Sequence, residues 1–166
     1  MNAPSPAPTG LSGRKLQTLL ETCVRLTADA ETALWNDGDP ADRFLARFFR
    51  SHKQFGSRDR RCIAAAVFAF FRWRGWIRKL LPNEETPSER DLALALAAED
   101  ASSPILSALL ERAFPGTDAQ ELLATPRPEQ RLAKLSGSEM PLSDSDLVPA
   151  WTISHVPERV RGAWLH

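Results

Sequence analysis

Cysteine, histidine and clustered glycine are scarce in this 166-residue sequence, and their scarcity excludes several kinds of site. Cys23 and Cys62 are too few for a disulfide framework and lack the spacing of a zinc site. His52, His155 and His166 are far apart, and none has a cysteine or carboxylate at metal-ligand spacing. The eight glycines are scattered and form no phosphate-binding loop. We therefore expect no metal, no bound cofactor and no catalytic residue in this chain.

Long apolar runs and an excess of one charge are also missing. The longest uncharged apolar run, residues 62–71, is too short to cross a bilayer. Residues 1–13 are rich in proline and serine without an apolar core, so we expect a disordered lead and not a signal peptide. Basic and acidic residues number 21 each, which excludes a uniformly basic protein. These features predict a cytoplasmic protein with no membrane partner.

Helical periodicity is the main structural signal in the sequence. Apolar residues three and four apart predict helices over 14–28, with 30–35 as an extension or a short second helix, over 41–53 and over a central segment, 58–73 or beyond. Asp39 and Ser57 are the expected N-caps of the second and third helices. Further helices are predicted over 89–99, 103–114, 118–124 and 129–135, and from Pro157 onwards. The predicted fold class is all-α, an irregular bundle of about seven or eight short helices.

Charge is segregated along the chain although the total is balanced. Residues 43–79 hold eleven basic side chains against one acidic, Asp59, and they also hold nine of the thirteen aromatic residues. Arginine forks match phosphate geometry and aromatic rings stack on bases, so this stretch favours RNA over a small metabolite. Two plainer interpretations stay open, namely that the aromatics pack in the core and that the arginines form a solvated face. Asp59 fits an acid that stabilises the first turn of a helix, and the acids of 83–100 fit a solvated loop and helix.

Residues 56–74, GSRDRRCIAAAVFAFFRWR, carry the most specific pattern. Ser57 and an Arg-Asp-Arg sequence open a helix that runs through an apolar stripe to Arg72 and Trp73. This pattern resembles the central helix of the NusB-like N-terminal domain in the RsmB/NOP/Sun family of RNA cytosine-5 methyltransferases. Residues 41–52 resemble that family's second helix, and 148–151 resemble the linker towards its catalytic domain. The chain departs from the family pattern at residues 65, 68 and 69, where an acid, a tyrosine and a glycine are common.

The resemblance implies a NusB-like RNA-binding domain over 14–136, preceded by the lead 1–13 and followed by a linker, 137–166. It implies that the full-length protein is an S-adenosylmethionine-dependent rRNA methyltransferase that contacts ribosomal RNA and its own catalytic domain. That domain's cofactor loop and Pro-Cys motif are absent from this sequence, and neither cysteine follows a proline. The residues predicted to contact RNA are Arg43, Arg47, Arg50, Lys53, Arg58, Arg61, Arg72 and Lys79, with Asp59 and Arg60 assigned to structure.

A second function remains open at this stage. The chain also fits a stand-alone module like the NusB-type transcription antitermination factors, which bind a protein partner together with RNA. Trp151, Trp164 and Leu165 would supply the apolar contacts to such a partner.

Overall fold

Seven α-helices and a single-turn 3₁₀ helix, with no strand, make up the part of the chain that the structure describes. The structure is a computed structural model and describes residues 13–82, 85–99, 105–138 and 140–147. The helices are α1 (Gly13–Asp37), α2 (Ala41–Ser51), α3 (Ser57–Leu80), α4 (Glu89–Ala98), α5 (Leu106–Ala113), α6 (Ala119–Leu123), α7 (Pro128–Ser136) and the 3₁₀ helix Asp144–Asp146. The predicted all-α fold class is confirmed. The predicted lead, 1–13, lies outside the described residues except for Gly13, which begins α1 and so belongs to a helix. The predicted helix from Pro157 also lies outside the described residues.

The centre of the bundle is formed by α3 and α4. α3 packs against α1, α2 and α4, while α4 also packs against α5 and α7. Residues 91–98 of α4 are all buried, so this helix is enclosed on every side. Its leucines alternate with alanines because each face meets a neighbouring helix and the alanines allow close approach. The expectation that the acids of 83–100 are solvated is therefore wrong for Asp91, which is fully buried.

Two predicted N-caps differ from the observed helix starts. α2 begins at Ala41 after Pro40, and Asp39 does not cap it, because the Asp39 carboxylate accepts a hydrogen bond from Arg47 Nη2 at 2.5 Å. α3 begins at Ser57 itself, and the extended residue before it, Gly56, provides no side-chain cap. Proline and glycine thus set the entry conformation of these two helices without supplying a capping oxygen.

α4, in contrast, has a side-chain cap, because Ser88 is its N-cap residue. The Asp91 backbone N–H donates to Ser88 Oγ at 3.4 Å, and the Ser88 backbone N–H donates to Asp91 Oδ2 at 2.9 Å. This reciprocal pair is a capping box, which satisfies two backbone donors at the start of α4.

Buried ion pairs connect α1, α3 and α4. Glu31 of α1 accepts hydrogen bonds from Arg74 Nε at 2.5 Å and from Arg78 Nη2 at 3.1 Å, both on α3. Arg78 also reaches Asp91 of α4 at 3.4 Å. The Glu31 side chain is 8% exposed and that of Asp91 0%, so these charges depend on one another for solvation.

The described residues of the predicted linker, in the 140–147 segment, pack against the C-terminal end of α3. Trp76 Nε1 donates to the Ser143 carbonyl at 2.7 Å, and Lys79 Nζ donates to Asp146 Oδ2 at 2.8 Å. A methyl group added to Gly75 would lie 1.7 Å from the Asp146 carbonyl oxygen. The close approach of the two backbones therefore requires glycine at position 75.

Candidate nucleic-acid interface

One face of α3 carries nearly all of its solvent-exposed side chains. After Ser57, the exposed residues of the helix are Arg58, Arg61, Ala65, Phe68 and Arg72. Their spacings of three and four residues place them on a single face, which we call the α3 stripe. At 1.5 Å per residue the stripe is about 21 Å long.

The α3 stripe is exposed because the neighbouring helices cover the remaining faces of α3. Ile63, Val67 and Phe70 are fully buried between the stripe's positions. Phe68 lies on the stripe, away from the covered faces, and is 41% exposed, a large value for an aromatic side chain in the middle of a central helix. The stripe therefore combines arginines at both ends with an accessible aromatic ring between them.

The other candidate aromatics belong to the core side of the protein. Phe70 is fully buried, while Phe44, Phe48, Phe49 and Phe71 are half-buried and pack against the core. The plainer interpretation of those five rings is thus the one that the structure supports. Phe68 was assigned to no site in the sequence analysis, although its position seven residues after Arg61 and four before Arg72 marks it as part of the basic face.

α2 presents a second basic face. Arg43, Arg47 and Arg50 are exposed and lie at spacings of four and three residues, while Leu45 is buried on the opposite side. Arg47 is held by Asp39, and this hydrogen bond, together with the nearby charges of Arg47 and Arg43, lowers the pKa of the Asp39 carboxyl. Arg43 and Arg50 remain open to solvent.

The loop from His52 to Gly56 joins the two basic faces at one corner. The His52 ring stacks on Phe48 with 4.0 Å between centroids, and the Phe48 and Phe55 rings lie 5.7 Å apart. Arg60 Nε donates to the Phe55 carbonyl at 2.8 Å, and its guanidinium lies over the Phe49 ring. These contacts fix the loop, so that Lys53, just after α2, and Arg58, in the first turn of α3, lie at the same corner.

Three of the eight predicted RNA-contact residues have acidic partners. Besides Arg47, Arg72 Nη1 donates to both Glu99 carboxylate oxygens at 2.6 and 2.7 Å, and Lys79 pairs with Asp146. The Lys79 hydrogen bond, followed by hydrogen bonds from Ser143, lowers the pKa of Asp146. Lys79 is therefore occupied by residues 140–147 and lies beyond the end of the α3 stripe.

The remaining five predicted residues form the accessible basic set: Arg43, Arg50, Lys53, Arg58 and Arg61. Their side chains are exposed and make no ion pair or hydrogen bond within the described part of the chain. None of the five has to give up an ion pair or a hydrogen bond to a described residue before it neutralises a phosphate. Of the two residues assigned to structure, Asp59 is 9% exposed and Arg60 is half-buried.

Histidine, cysteine and acidic side chains of the described residues add no metal site to this basic surface. Across the described ranges, no three histidine, cysteine or acidic side chains are grouped to hold a metal ion. Burial and the neighbouring Cys62 raise the pKa of the Cys23 thiol to about 12, and burial raises the pKa of Cys62 as well. Protonated, buried thiols are poor nucleophiles, which fits structural cysteines. Within the same ranges, no helix has the length and apolar character needed to span a bilayer.

Comparisons with protein-family models, with curated proteins and with solved structures find no significant match to this chain. The apolar residues that would favour a protein-binding module, Trp151, Trp164 and Leu165, lie outside the described residues.

Proposed function

We propose that this chain binds single-stranded RNA through the α3 stripe and the exposed arginines of α2. The observation that carries the proposal is the α3 stripe itself, in which Arg58, Arg61 and Arg72 share one helix face with the exposed ring of Phe68. Guanidinium groups bind phosphate oxygens, and an accessible aromatic ring stacks on an unpaired base. A single strand offers both groups at once, whereas a duplex conceals its bases.

The local distribution of charge supports RNA binding, although the protein as a whole has no net charge. The accessible basic set faces solvent on α2, its following loop and the first turns of α3. Of the acids close to these residues, Asp39 and Asp59 are shielded, while Asp42, beside Arg43, is exposed. The balancing acids are concentrated elsewhere in the sequence or take part in buried pairs. A local basic face of this kind attracts an anionic strand even though the whole molecule has no net charge.

Arg72 adds a conditional contact at the far end of the stripe. Its side chain is 62% exposed despite the bidentate pair with Glu99. Glu99 also accepts a hydrogen bond from Trp73 Nε1 at 2.9 Å, so the carboxylate keeps a partner when Arg72 turns to a phosphate. The pair is bidentate and Glu99 is only 19% exposed, so the phosphate contact must outweigh the loss of this pair, which makes Arg72 a weaker contact than Arg58 or Arg61.

The wider role follows from the resemblance of residues 56–74 alone. On that basis the chain is the RNA-binding helical domain of a cytoplasmic rRNA cytosine-5 methyltransferase, and S-adenosylmethionine is the cofactor of a catalytic domain outside this sequence. The ribosomal RNA and the catalytic domain are then its partners. The RNA-binding part of the proposal stands on the surface described above and is tested separately.

The test is a salt titration of affinity for a fluorescein-labelled single-stranded RNA. If the five residues of the accessible basic set neutralise one phosphate each, log K falls against log salt with a slope of about −3.5. A matched DNA–RNA duplex of the same length should bind more weakly, since it offers no unpaired base to Phe68. Affinity that does not change with salt, or a dissociation constant above about 1 mM, overturns the proposal.

A further inference from the structure

A groove beside the corner of the two basic faces has the features of a small-ligand site. It is lined by the first turns of α1, from Arg14 to Leu19, by Gln54 and Phe55 of the loop, and by Asp59 of α3. Its volume is about 390 Å³, within the range of roughly 300–1,000 Å³ that holds small ligands. An aromatic ring, an amide, a carboxylate and two cations thus surround one cavity.

Asp59 is the unusual member of this lining. It is 9% exposed, and its carboxylate accepts no hydrogen bond from the described residues. Its charged neighbour, Lys15 Nζ, lies 3.8 Å from Asp59 Oδ2, which is beyond hydrogen-bond distance. Neither Asp59 oxygen is a fully buried atom left without a hydrogen-bond partner, so both oxygens are accessible. Asp59 therefore offers two acceptor oxygens in a cavity that it lines.

The remaining lining divides into an apolar wall and a basic rim. Phe55 is half-buried and provides ring surface, while Gln54 is exposed and its amide makes no hydrogen bond within the described residues. Arg14 and Lys15 are exposed, and the Lys15 side chain is 59% accessible. The rim thus suits a phosphate group, and the wall with its carboxylate suits a flat base that donates hydrogen bonds.

We propose that this groove binds a guanine nucleotide, with the guanine base against Phe55 and its Watson–Crick edge on Asp59. The N1–H and the exocyclic amine of guanine are adjacent donors, which match the two oxygens of one carboxylate. The Gln54 amide supplies a donor for the O6 atom, and Arg14 binds the phosphate, while Lys15 stays beside the Asp59 carboxylate. For a guanine within an RNA strand, this inference rests on the proposed function; free guanosine monophosphate is the other source of the same chemistry.

The other three bases fit the carboxylate poorly. Adenine and cytosine each place a ring-nitrogen acceptor beside their amino group, so one carboxylate oxygen would face a lone pair. Uracil has a single N–H donor between two carbonyl oxygens. Because Asp59 offers only acceptors, the groove selects guanine by an unfavourable contact with each competitor as well as by a favourable one.

The experiment compares two labelled RNA heptamers, UUUGUUU and UUUUUUU, and adds a titration with free 5′-GMP, AMP, CMP and UMP followed by NMR. We expect UUUGUUU to bind roughly tenfold more tightly. We also expect GMP alone of the four mononucleotides to shift the Gln54 and Phe55 amide signals.

Asp59→Asn should abolish the guanine preference, and Gln54→Ala, in an exposed loop residue, should weaken it without affecting folding. Asp42→Asn, an exposed acid in the first turn of α2, is the matched control and should keep the full preference.

The outcomes separate this inference from the proposed function. If both heptamers bind equally in a salt-dependent way and GMP leaves the groove signals unchanged, the guanine site is overturned and RNA binding stands. If GMP binds in an Asp59-dependent way but neither heptamer binds, the groove is a free-nucleotide site and the proposed function is overturned. A guanine preference that survives Asp59→Asn also overturns the site.

Discussion

The two halves of α3 use the same residue type in opposite ways. In the N-terminal half, Arg58 and Arg61 are exposed and have no acidic partner within the described residues. In the C-terminal half, Arg72 continues the exposed stripe, but Arg74 and Arg78 pair with Glu31 of α1, and Arg78 also contacts Asp91 of α4. One helix therefore provides a binding face at one end and an internal electrostatic connection at the other. Counting arginines along the sequence cannot separate these two roles, because the difference lies in which acids the neighbouring helices bring close.

The largest expected effect on stability is at the paired arginines in the C-terminal half of α3. Replacing Glu31 by alanine leaves Arg74 and Arg78 without their shared carboxylate in a poorly solvated position. Removing one partner of a buried pair costs about 3–5 kcal/mol, and we expect the lower end because Arg74 is 33% exposed. Urea denaturation measures the loss. Glu21→Ala, an exposed acid on the same helix, is the control and should stay within about 0.5 kcal/mol. Equal stability of the two variants would mean that the ion pairs add nothing.

The next effect concerns the segment that covers the C-terminal end of α3. Gly75→Ala places a methyl group 1.7 Å from the Asp146 carbonyl oxygen, so residues 140–147 must move away. We expect a loss of about 1–3 kcal/mol, as for other overpacked sites, and faster proteolysis within 140–147.

Gly13 provides the matched control for that variant. It is also in a helix, but an added methyl group there meets no atom within 4 Å. Gly13→Ala should cause no loss of stability. If Gly75→Ala behaves in the same way and residues 140–147 stay protected from protease, the close contact with α3 does not exist in solution.

At the exposed end of the helix, Phe68→Ala should weaken RNA binding without weakening the fold. The ring is 41% exposed and contributes little to the core, whereas base stacking on an aromatic side chain is worth about 1–3 kcal/mol. Fluorescence anisotropy with single-stranded RNA measures the affinity, and urea denaturation measures the stability. Phe70→Ala, at a fully buried neighbouring ring, should instead reduce stability by about 3–5 kcal/mol. A loss of stability without a loss of affinity in the Phe68 variant would contradict the assignment of this ring.

The smallest expected effect is a pH dependence of the 140–147 contact. The pKa of Asp146 is lowered in the folded protein, chiefly by the Lys79 hydrogen bond. Its contribution is therefore fully present above the unfolded value of about 3.9 and is lost as the pH falls below it through the folded value. Proteolysis with an acid protease between pH 5 and pH 2, in steps, should show residues 140–147 released before the core unfolds. In Asp146→Asn this acid-dependent step should be missing.

The helices could be predicted from the sequence because periodicity and breakers are local signals. The helix over 89–99 follows from such signals and is confirmed, and residues 30–35, for which a separate short helix was the alternative, extend α1. The expected caps at Asp39 and Ser57 were wrong because each residue had an alternative that sequence distance does not reveal: Asp39 bonds to Arg47, eight residues away, and Gly56 takes the cap position of α3. The burial of Asp91 was missed because it depends on helices that surround α4 only in the folded chain.

In the candidate site, too, features set by local spacing could be predicted, whereas contacts between distant residues could not. The basic faces of α2 and α3 could be predicted, since they follow from helical spacing. The partners of Arg72 and Lys79 could not, because Glu99 lies 27 residues and Asp146 lies 67 residues along the chain. The groove lined by Asp59 could not be predicted either, because it is formed by the start of α1 together with the loop before α3.

The most direct test of the account is the RNA affinity of the double variant Arg58→Ala/Arg61→Ala beside that of Arg127→Ala. Arg127 is an exposed arginine before α7, 71% accessible and outside both basic faces. Each lost phosphate contact should reduce the salt slope by about 0.7, so the double variant should fall from about −3.5 to about −2.1. Arg127→Ala should keep the original slope and affinity. Equal slopes for the two variants would contradict the claim that the exposed N-terminal half of α3 binds RNA.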